Sequence, residues 1–340
     1  SMDAKKVMVA LGSTNAPTLT GTGVLNADIA KGTMDDISLS GVSVNGNIGE
    51  GVKLATSGVT VLPSSEVKAE ITVNENATLI IPEGMDVTFA TGGSISNNGS
   101  LYVFGTLTGT STNVTGSGSV YAYDVGNVKL GTPNPAKVIS ETEGKISVKN
   151  YADAEKFLSS GVEKVTVESM ILDKELTVEE GQILNITNTL EVNEGGVLKN
   201  EGTVVVGGAL TLDAKASIIN DGEFTIGASS IIVGSFENNK TLNITGDSAV
   251  TVTIGSYVKE VSSKTEFENN GTITLGVVAN GGHSFAVAEG CTFINNGVID
   301  SLDKDAAITG AGTFENGAEG DVGVAVNTAK VTGVTKTLTV

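Results

Sequence analysis

The 340-residue chain sets 39 Asp plus Glu against 20 basic residues, all of them Lys, for a net charge of −19. Without Arg it lacks the bidentate fork that grips phosphates and base edges, and its acidity repels them, so nucleic acid is excluded as a partner class. No apolar run is long enough for a membrane-crossing helix, so no membrane insertion is expected of this sequence.

Aromatic residues make up only 4% of the chain and Trp is absent, which leaves Val, Ile, Leu and Ala to build the core. Forty-four Gly against five Pro indicate many tight turns in an ordered chain. The one cysteine, Cys291, can form no internal disulfide; it alternates with Phe293 and is expected to be a small buried hydrophobe.

Taken in chain order, residues 1–135 are expected to form an N-terminal β-rich domain. Its clearest run, ATLIIPEGMDVTFATGGSISNNGSLYVFGTLTG, alternates apolar and polar residues, but only one Asn-rich turn falls in it. Periodicity there does not choose between an irregular solenoid and a sandwich. The stretch GTPNPAKVIS, with Pro133 and Pro135, marks a junction, and residues 136–340 form the second domain. At its entry Asn150 is placed to cap a short helix over Tyr151 to Ser159, with Gly161 to end it. Such a helix would cover the open end of a stack of strands.

From there the chain keeps rewriting one phrase: LKNEGTVVV, IINDGEFTI, FENNKTLNI, FENNGTITL, FINNGVIDS and TFENGAEGD. The glycine position recurs at Gly202, Gly222, Lys240 (a Lys in place of Gly), Gly271, Gly297 and Gly317, a loose period near 20 with insertions. Between these turns, pairs such as Val204 and Val206 or Ile273 and Leu275 alternate with period two. Together they predict an all-β parallel β-solenoid of about eight coils from Val165 to Val326, stacked at about 4.8 Å per coil. Asn at the corner would hydrogen-bond its counterpart one coil away, and Gly would tolerate a positive φ. KKVMVALG and KVTGVTKTLTV have free-strand character, and the second is expected to continue past Val340.

NYADAEKFLSSGVEKVTV followed by LTVEEGQILNITNTLEVNEGGVLKNEGTVVV resembles microbial surface proteins and adhesins built on right-handed parallel β-helices of the pectate-lyase-like architecture. The resemblance spans about Lys145 to Val326. It implies secretion, display on a cell envelope, and a binding or scaffolding role.

Enzymatic members of that architecture are polysaccharide lyases and hydrolases. With no Arg the proton-abstracting base of a lyase falls to Lys, and a hydrolase needs facing carboxylates. Asp300, Asp303 and Asp305 in DSLDKDAA offer hard oxygen ligands at i, i+3 and i+5 and are the candidate Ca²⁺ site. His283 in NGGHSFAV is the one histidine and reads as an exposed loop residue. Tyr121 and Tyr123 share one side of a strand and are the candidate stacking patch for a glycan; the bland alternative is an aromatic pair packed over a sheet face.

The expectation is a non-catalytic, extracellular cell-surface protein: an adhesin stalk, envelope-layer subunit or fibre subunit. It would self-associate through its terminal strands or bind a host or glycan surface through the insertion-bearing coils, such as Val277 to Glu289. The alternatives are a carbohydrate-active enzyme on the same fold and a trimeric phage fibre component.

Overall fold

The computed structural model describes residues 18–20, 24–26, 36–40, 43–45, 49–50, 52–62, 65–122, 124–138, 146–148, 150–255, 265–279 and 281–333. Within them the fold is an all-β parallel solenoid with one α-helix. The chain divides into two compact units, residues 1–145 with 155–162, and residues 146–154 with 163–340.

In the second unit the strands wind around three faces. The first is a nine-stranded parallel sheet running from Ile146–Val148 and Lys164–Val167 to Asp321–Val322. After its leading strand, eight successive coils contribute one strand each, the number predicted from the repeats. Val165, Leu184, Val204, Phe224, Leu242, Ile273, Ile299 and Val322 lie abreast. The coils are therefore nearly equal in length from Val165 to Leu242, longest between Leu242 and Ile273, and still enlarged after that. The other two faces merge into one fourteen-stranded sheet. They merge because Ala307–Asn316 turns the corner without a break, and Ala325–Gly333 pairs along it.

The repeated phrase has a direct structural meaning. In Phe236-Glu237-Asn238, Phe267-Glu268-Asn269, Phe293-Ile294-Asn295 and Phe314-Glu315-Asn316, the first and third residues point inward and the middle one outward. Because side chains alternate along a strand, a slip of one residue would expose both the ring and the amide, so each phrase fixes its own register. The Phe residues stack from coil to coil, with centroids 5.0 Å apart for Phe236 and Phe267, 4.9 Å for Phe267 and Phe293, and 5.4 Å for Phe293 and Phe314. Phe224 and Phe285 join from the other two faces, which corrects the expectation of a purely aliphatic core. Few aromatics are present, but six of the nine Phe sit fully buried in this one column.

The Asn residues form the predicted ladder. The Nδ2 of Asn200, Asn220, Asn238, Asn269 and Asn295 each donates to the Oδ1 of the next, every bond at 2.7 Å. The second Nδ2 hydrogen of each goes to a backbone carbonyl, as from Asn220 to Thr241 at 2.8 Å. These side chains are almost wholly buried, and an unpaired amide there would cost about 1–3 kcal/mol. The ladder starts at Asn200 because the preceding coil carries Val178 in that register and turns instead through Glu179–Gln182, where Gln182 Oε1 accepts from the Glu179 N–H. Asn200 Oδ1 consequently has no donor among the described residues.

The corner glycines serve a different purpose from the one predicted. Gly202, Gly222, Gly271 and Gly297 do not have positive φ. A Cβ on Gly222 would collide with the Gly202 carbonyl, and one on Gly297 with the Gly271 carbonyl. Glycine is required there by how closely the coils stack. Positive φ is found in a second set of turns, at Gly84, Gly181 and Gly290 of the Glu-Gly pairs, where a Cβ would meet open space.

The first unit is also a solenoid, not a sandwich. Its parallel sheets have six, five and four strands, with a further pair formed by Val24–Asn26 and Ser43–Asn45. Leu54, Ile71, Ile95 and Val114 lie abreast at unequal steps along the chain, the middle step being the longest. Leu79, Ile81, Leu101, Val103 and Leu107 fill its core.

The helix α1 spans Tyr151–Leu158. Asn150 Oδ1 accepts from the Asp153 N–H at 3.0 Å, the predicted cap. At the other end Gly161, at φ +85°, closes a Schellman turn in which the Val162 N–H bonds the Phe157 carbonyl at 3.2 Å. The first half of the helix belongs to the second unit, where the Tyr151 hydroxyl donates to the Glu175 carbonyl at 3.1 Å on a strand that ends its sheet; the later half belongs to the first unit. Phe157 meets Tyr102 edge-on at 5.6 Å, and Tyr102 projects from the outer side of a sheet whose inward residues are Leu101 and Val103. The buried Lys156 Nζ donates at 2.6 Å to the carbonyl of Val59, on the edge strand of that sheet.

Candidate functional surfaces

The three aspartates of the predicted Ca²⁺ site sit along one corner of the second unit but are each engaged or placed apart. Asp300, exposed on the first face, accepts from the Ser301 N–H at 2.8 Å. Asp303 accepts from the Asp305 N–H at 3.0 Å and from the Val278 N–H at 3.3 Å, and these two donors hold its carboxyl below the usual carboxylate range. Among the described residues no group of three or more His, Cys, Asp or Glu side chains is gathered closely enough to hold a metal ion. The spacing that placed the aspartates at i, i+3 and i+5 does not bring them to one point. Asp303 organises the corner around it.

Tyr121 stacks on Tyr102 with ring centroids 5.0 Å apart and planes 24° apart, and Tyr102 in turn stacks on Phe104 at 6.1 Å. The half-buried rings of Tyr102, Phe104 and Tyr121 make an aromatic cluster with the buried Phe157 on the outside of the sheet, rather than a flat displayed platform. Tyr123 lies outside the described residues.

His283 is not the exposed loop residue that its Gly-rich neighbourhood suggested: it is 0% exposed. The signal was present in HSFAV, since His283, Phe285 and Val287 share one parity and all three point inward. Burial lowers the imidazole's affinity for a proton below its ordinary value, partly offset by the negative charge of Asp303. Cys291 is buried and free, as expected.

The segment from Val277 to Glu289 is likewise not loop throughout, because Ser284–Val287 is a strand of the second face. The insertion-bearing coils expose two large apolar side chains, Val277 at 65% and Leu302 at 91%, alongside polar ones such as Glu289. Glu179 and Glu180 are exposed at a corner.

A last surface is an edge. Ala325–Gly333 pairs with Ala307–Asn316 over both halves of its length, and no described strand pairs with its other side. Val331 continues the column of Phe236, Phe267, Phe293 and Phe314, but it is 44% exposed where Phe314 is 1% exposed. No helix among the described residues is long and apolar enough to cross a membrane. No family model, no curated protein and no solved structure matches the chain.

Proposed function

We propose that the chain is a non-catalytic structural protein displayed outside a microbial cell, whose coils form a stiff spacer and whose last strand joins it to a second copy. The resemblance to β-helix surface proteins supports the location. The joining role rests on the open edge at Ala325–Gly333. Natural edge strands are blunted by charges, proline or bulges. This one has nine residues with no Asp, Glu or Pro and a single Lys330 in a chain of net charge −19. Strand addition would bond the backbone groups on the side that no described strand pairs with, and would cover Val331. The stiffness follows from eight coils that rise about 40 Å at strand spacing, with aromatic and amide columns inside.

Electron microscopy of the purified protein over a range of concentrations, with Ca²⁺ and with chelator, tests this reading. Filaments, lattices or paired particles are expected to appear as concentration rises, and Val331→Lys is expected to disperse them. Isolated particles at every concentration would overturn the joining role, and a binding screen against glycans and host matrix would then take its place.

A further inference from the structure

The described corners hold one buried ionisable ring, and its hydrogen bonding is unusual. His283 Nδ1 accepts from the Val250 N–H at 3.0 Å, a role filled by a neighbouring coil's backbone carbonyl elsewhere, as when the Leu190 N–H bonds the Ala209 carbonyl. The neutral ring must therefore carry its proton on Nε2, and Nε2 has no partner among the described residues. Two coils earlier, and two residues further along the strand register, the Leu210 N–H makes a comparable bond to the Ser230 hydroxyl at 2.9 Å. A backbone N–H at the start of a strand is thus bonded once by a side chain that cannot titrate near neutrality and once by a side chain that can.

We propose that His283 makes its own corner of the solenoid acid-labile, so that protonation opens the coil around His283 and Val250 while the other coils stay wound. A protonated ring donates from both nitrogens. Nδ1–H would then face the Val250 N–H, and a positive charge would lie in a site closed to water. The corners packed against the ring carry Asp247 on the preceding coil, and Asp303, Lys304 and Asp305 on the following one. Of these, Asp303 is the one whose field reaches the imidazole, and it does not outweigh burial.

The direction of the pH dependence follows from burial. The closed ring binds a proton less readily than an open one, whose ordinary value is 6.5. The open form therefore takes up protons first, and closure is lost as pH falls below about 6.5, by at most about tenfold per pH unit. Asp303 acts in a lower window. Its carboxyl is held below 3.8, so its contribution persists until pH falls through that range.

Hydrogen exchange on the full chain between pH 7.5 and 5, corrected for intrinsic rates, tests the proposal. Peptides covering Val250 and 281–287 are expected to lose protection by up to about tenfold per pH unit below 6.5, while those covering 203–226 hold theirs. His283→Ser, which copies Ser230, is expected to remove that pH dependence. Unchanged protection of the wild-type corner down to pH 5, or an equal loss in His283→Ser, would overturn the proposal. Should the variant not fold, the single histidine can be titrated by NMR in the wild-type chain. A folded-state midpoint below 6.5 supports the proposal, and one at or above 6.5 overturns it.

Discussion

Both units wind parallel coils, yet they treat a buried corner amide differently. In the first unit Asn97 donates to the Ser119 carbonyl at 2.9 Å, but its Oδ1 finds no donor among the described residues, because the preceding coil offers Val73 in register. In the second unit the same position is Asn in six consecutive coils, and only the first has an unmatched oxygen. An amide in a stack is satisfied by its copies, whereas one without them leaves half of its hydrogen-bonding capacity unused. Repetition converts a costly buried group into a register mark.

Substitutions can break this contrast at several levels. Phe267→Ala should have the largest effect, since its ring touches Phe236, Phe285 and Phe293 and the apolar gap would stay dry; a loss of about 3–5 kcal/mol is expected in urea unfolding. Asn269→Ala should follow at about 2–4 kcal/mol, because it strands Asn295 Oδ1, one hydrogen of Asn238 and the Val298 carbonyl in the interior. Asn97→Val, by contrast, removes an orphan oxygen together with one good bond and should change stability by less than about 1 kcal/mol. If the two Asn variants cost the same, the ladder is no better than its separate rungs. Val178→Asn sharpens the test by presenting a donor to Asn200 Oδ1, and it should fall within about 1 kcal/mol of wild type despite placing an amide at a fully buried position. Lys215→Ala, which removes the exposed pair with Glu194, should leave the unfolding midpoint unchanged.

How much was legible in the sequence tracks the same contrast. The second unit announces itself because its inward Phe or aliphatic residue, its Asn and its Gly recur together. Its coil count, its ladder and the capped helix could all be read from Asn150, Gly161 and the six corner phrases. The first unit has coils of uneven length and one comparable Asn, so no period stands out and a sandwich was equally compatible. The glycines were read correctly by place and wrongly by cause, since contact between coils leaves no trace in a single strand's pattern. His283 was misjudged because the Gly-Gly before it outweighed the parity that it shares with Phe285 and Val287. The aspartates were grouped by spacing along the chain, which in a solenoid corner does not measure separation in space.

The ladder also has a direction. Every rung passes its hydrogen the same way, from the lower-numbered Asn to the higher, ending where Asn316 Nδ2 meets the Gly320 carbonyl at 2.9 Å. Turning one amide over would set oxygen against oxygen on one side and hydrogen against hydrogen on the other. The six side chains can therefore reverse only in concert, and their dipoles add along the axis and polarise one another. The column behaves as a single aligned array, with an unmet oxygen at Asn200 marking its electronegative pole.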